Sequence, residues 1–157
     1  MSARINFTED AKMTVRIKKL NQKAKIPTYG TDFSAGADLY NMEGNDVVIG
    51  THKTVMIPLG FAIEIPDGYA GLVFARSGLA SKRGAAPANK VGVIDSDYRG
   101  ECMVALHNHT DFEVKIEGGE RIAQLVIVPY LKAEFEESAE LSDTERGGGG
   151  FGSTGNK

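Results

Sequence analysis

The chain predicts an all-β fold, a barrel or jelly roll with one short helix. Three observations lead there. Short apolar runs recur at near-regular spacing, several of them alternate with a period of two, and glycine-rich turns separate them. With 157 residues, 41% of them hydrophobic and 25% charged, the chain has the size of one domain and the means to bury a core.

Residues 1–12 are polar and weakly patterned and read as an N-terminal extension. The β domain spans 13–137. It opens with Val15 to Leu20, which alternates as a half-buried strand does. Ile26 to Gly30 is loop. Ser34 to Tyr40 is a small-residue segment entering a strand that carries Asp38, and Met42 to Gly50 is a turn-rich connection holding a short strand at Val47–Ile49. Thr54 to Ile65 alternates, closes at Pro66-Asp67-Gly68 and restarts at Tyr69 to Ala75, the pattern of a hairpin. Ser77 to Gly84 is the one helical segment, with Ser77 as N-cap, Lys82 and Arg83 in the last turn and Gly84 to close it. Val91 to Ile94, the turn Asp95-Ser96-Asp97 and the strand from Tyr98 onward read as a second hairpin. Glu101–Leu106, Phe112–Ile116 and Arg121–Val128 are further strands, and Lys132–Phe135 is a candidate for one more. Residues 138–157 read as a flexible C-terminal arm, because Glu136 to Arg146 is charged and polar and Arg146 to Gly155 is mostly glycine.

Net charge is −3 and no basic block occurs, which argues against a nucleic-acid polymer as ligand; an anionic ligand must be met locally. The single Cys102 lies in an apolar run and reads as a small buried hydrophobe, which fits a reducing compartment. No signal segment or membrane-length apolar run is evident, so the expectation is a cytoplasmic protein without a membrane partner.

Chemistry concentrates in a few places. Arg76-Ser77-Gly78 sits where a strand feeds the helix, so a guanidinium, a hydroxyl and free N–H groups converge as they would on a phosphate, or as in any capped helix. Gln124, alone in an apolar strand, either points outward or reaches a polar ligand. The tail has most of the spacing of a phosphate loop but lacks its lysine and a preceding strand. It still offers glycine N–H groups, the hydroxyls of Ser153 and Thr154, the charge of Arg146 and the face of Phe151 for stacking a base. His107 and His109 lack the partners of a zinc site and read as surface residues, and His52 has no evident partner. A carboxylate is left as the catalytic group.

Ala35-Gly-Ala-Asp-Leu-Tyr40, Ala75-Arg-Ser-Gly-Leu-Ala80, Gly92-Val-Ile-Asp-Ser-Asp-Tyr-Arg-Gly100, Gly119-Glu-Arg-Ile-Ala-Gln-Leu125 and Arg146 to Gly155 together resemble the five ordered motifs of the trimeric dUTPases. The resemblance implies a jelly-roll β-barrel that forms a homotrimer with shared sites and a lent tail. It also implies Mg²⁺-dependent hydrolysis of dUTP to dUMP and pyrophosphate, which keeps dUTP low and supplies dUMP for thymidylate synthesis. On this analogy Asp95 directs the attacking water and Asp38 meets the magnesium through its waters. Asn89 and the backbone near Gly92 read uracil, and Tyr98 excludes ribose. Arg76, Ser77, Gly78 and Gln124 hold phosphates or water, while Arg146, Phe151, Gly152, Ser153 and Thr154 close over the substrate. Two other readings belong beside it: a dCTP deaminase relative, against which the glycine tail argues, and a module whose nucleotide state regulates a protein partner.

Overall fold

The computed structural model describes residues 13–150. Eleven strands and one helix occur among them. In chain order these are β1 (Arg16–Lys19), β2 (Thr28–Tyr29), β3 (Ala37–Tyr40), β4 (Val47–Ile49), β5 (Thr54–Glu64) and β6 (Tyr69–Phe74). Helix α1 (Ser77–Arg83) follows, then β7 (Ala85–Pro87), β8 (Gly92–Ile94), β9 (Glu101–Asn108), β10 (Val114–Ile116) and β11 (Arg121–Pro129). The all-β class with a single short helix is therefore what the chain adopts.

The strands form a four-stranded sheet in the order β1-β5-β9-β7, a five-stranded sheet in the order β2-β3-β11-β6-β8, and a β10-β4 pair. All pairings are antiparallel. One buried cluster draws on all three: Ile57, Leu59 and Leu106 from the first, Leu39, Ile122 and Leu125 from the second, Ile49 and Ile116 from the pair. Period-two alternation creates this, since β9 buries Cys102, Val104, Leu106 and Asn108 and turns Glu101, Met103, Ala105 and His107 outward.

Neither predicted hairpin exists. The Pro66-Asp67-Gly68 turn forms, with Tyr69 N–H donating to Pro66 C=O at 3.2 Å, but β5 pairs with β1 and β9 while β6 pairs with β11 and β8. The Asp95–Gly100 turn likewise takes the chain from β8 in the five-stranded sheet to β9 in the four-stranded one. Local turn chemistry was read correctly, but the next strand crosses the core to bury its apolar face.

Three smaller expectations also change. Ser77 is the first residue of α1, not its N-cap; Arg76 occupies that position in extended geometry without a capping side-chain bond, because a guanidinium has no acceptor to offer the helix N–H groups, and it donates to Asp38 instead. Gly84 closes the helix in the left-handed region at φ 66°, as predicted. β2 and β7 were not anticipated, and Lys132–Phe135 is not a strand: beyond Tyr130 the chain runs exposed to residue 148.

Candidate active site

The predicted site residues divide between two cavities. The larger, about 590 Å³, is lined by Asp38, Arg76, Ser77, Gly78, Arg121 and Gln124, with Ser34 and Gly36 at its edge. Asp38 stands on β3 directly opposite Gln124 on β11, and that register puts both side chains on one face. A register shift in β11 between Arg121 and Ala123 buries Ile122 and Ala123 in succession and brings Arg121 round to the same cavity. Asp38 is 8% exposed, and its oxygens accept from Arg76 Nε at 2.7 Å and Arg121 Nη1 at 3.3 Å. Two guanidiniums on one carboxylate leave the cavity with net positive charge. Gln124 settles the alternative left open by its position, for it faces this cavity and donates from Nε2 to Ala75 C=O at 2.8 Å. Its amide lies against Gly36, where any side chain would collide with it.

The smaller cavity, about 290 Å³, is lined by Asn89, Gly92, Val93, Asp95 and Tyr98 together with Met56, Glu101 and Met103. Gly92 keeps this cavity clear, since a Cβ would lie 3.2 Å from Asn89 Nδ2 and 3.3 Å from Val73 Cβ and press on both. Tyr98 folds its ring back over Gly100, where a side chain would run into it, and donates its hydroxyl to Glu101 C=O at 3.0 Å. Asp95 is exposed, and among the described residues its carboxylate accepts no hydrogen bond. β8 is an edge strand, so one row of its backbone groups is open for reading a planar ligand.

The two cavities share no lining residue. Arg146 lies in neither; it is exposed, and its Nε donates to Gly149 C=O at 2.7 Å. Phe151, Gly152, Ser153 and Thr154 lie outside the described residues. Sequence reasoning missed Arg121, and the available signal was a cation opening an apolar strand three residues before Gln124. It also left His52 without a partner, whereas its Nε2 lies 3.0 Å from Asp111 Oδ1. Cys102 is buried as expected, and burial, then the neighbouring Glu101 charge, push its thiol up to about 11, far from a reactive thiolate. No three His, Cys, Asp or Glu side chains meet as a metal cluster among the described residues.

A guanidinium-lined pocket and, separately, a small pocket with a tyrosine, an asparagine and a free carboxylate offer the chemistry that a phosphorylated, ring-bearing ligand needs. The family model for dUTPase matches residues 22–155. The chain belongs to the dUTPase family. Among dUTPases it is 50% identical over 145 residues to the deoxyuridine 5'-triphosphate nucleotidohydrolase of Hydrogenobaculum sp., covering 92% of this chain and all of that one. It is 52% identical over 143 residues to the same enzyme of Nautilia profundicola, covering 91% and 99%. Its fold is similar to the dUTPase of Staphylococcus bacteriophage 80alpha solved with dUpNHpp, at a TM-score of 0.84 and 31% identity over 92% of this chain and 99% of that one. A dUTPase of S. aureus phage phi11, described with a structural Mg(II) ion, is similar at a TM-score of 0.74 and 26% identity over 82% and 98%.

Proposed function

We infer that this dUTPase hydrolyses dUTP to dUMP and pyrophosphate by water attack on the α-phosphorus, with its two cavities as the two halves of the site. The observation that carries this is their complementary chemistry. One is cationic, with its carboxylate held by two arginines; the other is small, with its carboxylate free. The first suits the triphosphate, met by Arg76, the Ser77 hydroxyl, the Gly78 N–H and the Gln124 amide. The second suits the nucleoside.

Asp95 orients the attacking water and accepts its proton, a role open to a carboxylate with no competing donor. Tyr98 packs under the deoxyribose and leaves no room for a 2′-hydroxyl, which is selection by exclusion. Asn89 and the open edge of β8 pair with uracil, and a site whose polar groups match uracil leaves them unpaired with cytosine. Arg146 and the glycine-rich tail, with Phe151 stacked on the base, close over the substrate and exclude bulk water.

The donor set fits magnesium only in one way. With no protein cage among the described residues and both Asp38 oxygens engaged, an ion would be held chiefly by the substrate phosphates, with Asp38 meeting its waters. An ion held there would supply charge neutralisation as negative charge develops on the phosphates.

Within one protomer the two cavities share no lining residue, so we propose a homotrimer in which the nucleoside cavity of one copy completes the phosphate cavity of another. Exposed apolar surface supports assembly: Met56 and Met103 on the outer face of the four-stranded sheet, and Leu131, Phe135 and Leu141 beyond β11. The activity is tested with a nucleotide panel in Mg²⁺. Pyrophosphate should be released from dUTP and scarcely from dCTP, dTTP or UTP; a protein inert toward dUTP would overturn the reading.

A further inference from the structure

Residues 95–100 carry Asp95 and Tyr98 yet belong to no strand, so their placement needs an explanation beyond sheet pairing. One backbone hydrogen bond closes the turn, from Tyr98 N–H to Asp95 C=O at 3.2 Å. Arg99 supplies further restraint. Its Nη1 donates to Ser96 C=O at 2.6 Å and to Tyr98 C=O at 2.9 Å. Its Nη2 lies 3.9 Å from Glu64 Oε1 at the end of β5, and the other oxygen of Glu64 accepts from Arg16 on β1 at 3.1 Å. One guanidinium thereby joins the carbonyl after Asp95 to that of Tyr98 and hangs the turn on the longest strand of the fold. Arg99 does not line the nucleoside cavity; it borders a separate groove of about 420 Å³ with Arg16, Ile17, Ala62, Ile63 and Glu64.

We propose that Arg99 is a positioning residue, which holds Asp95 and Tyr98 in working geometry from outside the cavity they line. The proposal rests on the site assignment above. Exposed ion pairs stabilise a fold little, so this contact matters for where the turn sits and not for whether the protein folds. Displacing a catalytic group by a fraction of an ångström to an ångström costs rate steeply. A guanidinium is suited to the task because its rigid fork reaches several acceptors at once, which an ammonium does with looser geometry.

The test compares Arg99→Ala and Arg99→Lys in the full chain by kinetics on dUTP and UTP, amide hydrogen exchange of the peptide spanning 95–100, and thermal melting. For Arg99→Ala, kcat on dUTP should fall ~10- to 100-fold, far more than KM rises. The preference for dUTP over UTP should narrow as Tyr98 loses its support, exchange in the turn should accelerate, and the melting midpoint should hardly move. Arg99→Lys should lie between. Unchanged turn exchange with unchanged kcat would overturn the proposal, as would a rate loss that follows loss of folded protein. If the natural chain failed to hydrolyse dUTP, the assigned function would fall, and turn exchange would still decide what Arg99 does.

Discussion

The two cavities each contain an aspartate, and the two stand in opposite situations. Asp38 lies on a core strand with a side chain 12% exposed and a guanidinium on each oxygen. Asp95 lies on a turn, exposed, with no donor among the described residues. A carboxylate already committed to two cations organises charge, while an uncommitted one can meet a water. Under the proposed function the same residue type serves two tasks, and the element that carries it decides which.

That contrast can be broken most directly at Asp95. Asp95→Asn should lower turnover of dUTP by ~10³-fold or more while leaving thermal stability and the affinity for a non-hydrolysable dUTP analogue near the natural values. A variant that kept substantial turnover would move the proton acceptor elsewhere. Asp38→Ala should also lower turnover, since it removes the carboxylate assigned to the magnesium waters, but unlike Asp95→Asn it should register in stability. It leaves Arg76 and Arg121 facing each other without their shared anion, and urea unfolding should report a loss of about 2–3 kcal/mol, at the low end for a buried pair because both arginines are partly exposed. No loss would mean that the clamp is ornamental.

A smaller effect concerns Cys102, a buried residue of β9 that also borders the nucleoside cavity. Cys102 titrates near 11 in the folded protein and lower when unfolded, because burial disfavours its thiolate. Its raised value makes the stability contribution complete below about pH 9 and progressively lost as pH rises toward 11, by about 2–3 kcal/mol at most. Unfolding free energies of the natural chain and of Cys102→Ala, measured from pH 8 to 11, should differ by this slope. Parallel curves would place the thiol in contact with water.

How much of this was legible in the sequence also follows the division between the cavities. In the phosphate cavity Arg76 stood out where a strand feeds the helix and Gln124 as the one polar residue of an apolar strand, while the role of Asp38 came from the resemblance and the register that joins them was not legible. Arg121 escaped because a β-bulge redirects it, and the only trace of the bulge in the sequence, two successive apolar residues at Ile122 and Ala123, is what any fully buried strand also shows. The nucleoside cavity depends on chain crossing. Asp95-Ser96-Asp97 announces a turn, but turn residues specify a reversal and not the sheet that receives the next strand. β2 and β7, at two and three residues, are too short to produce periodicity, and Ala85-Ala86-Pro87 has none of the branched side chains that mark a strand. Ser77 looked like a cap because capping favours its hydroxyl; Arg76 holds that position while its guanidinium binds Asp38.

The central claim is that the halves of one working site come from different copies of the chain, and mixing subunits tests it. Asp95→Asn spoils only the nucleoside half and Arg76→Gln only the phosphate half, so each variant alone should be nearly inactive. Unfolded together in equal amounts and refolded, they should recover about a quarter of natural activity, the fraction of sites that pair an intact half from each variant in a closed cyclic assembly. Activity no greater than the sum of the separate variants would mean that both halves belong to one subunit.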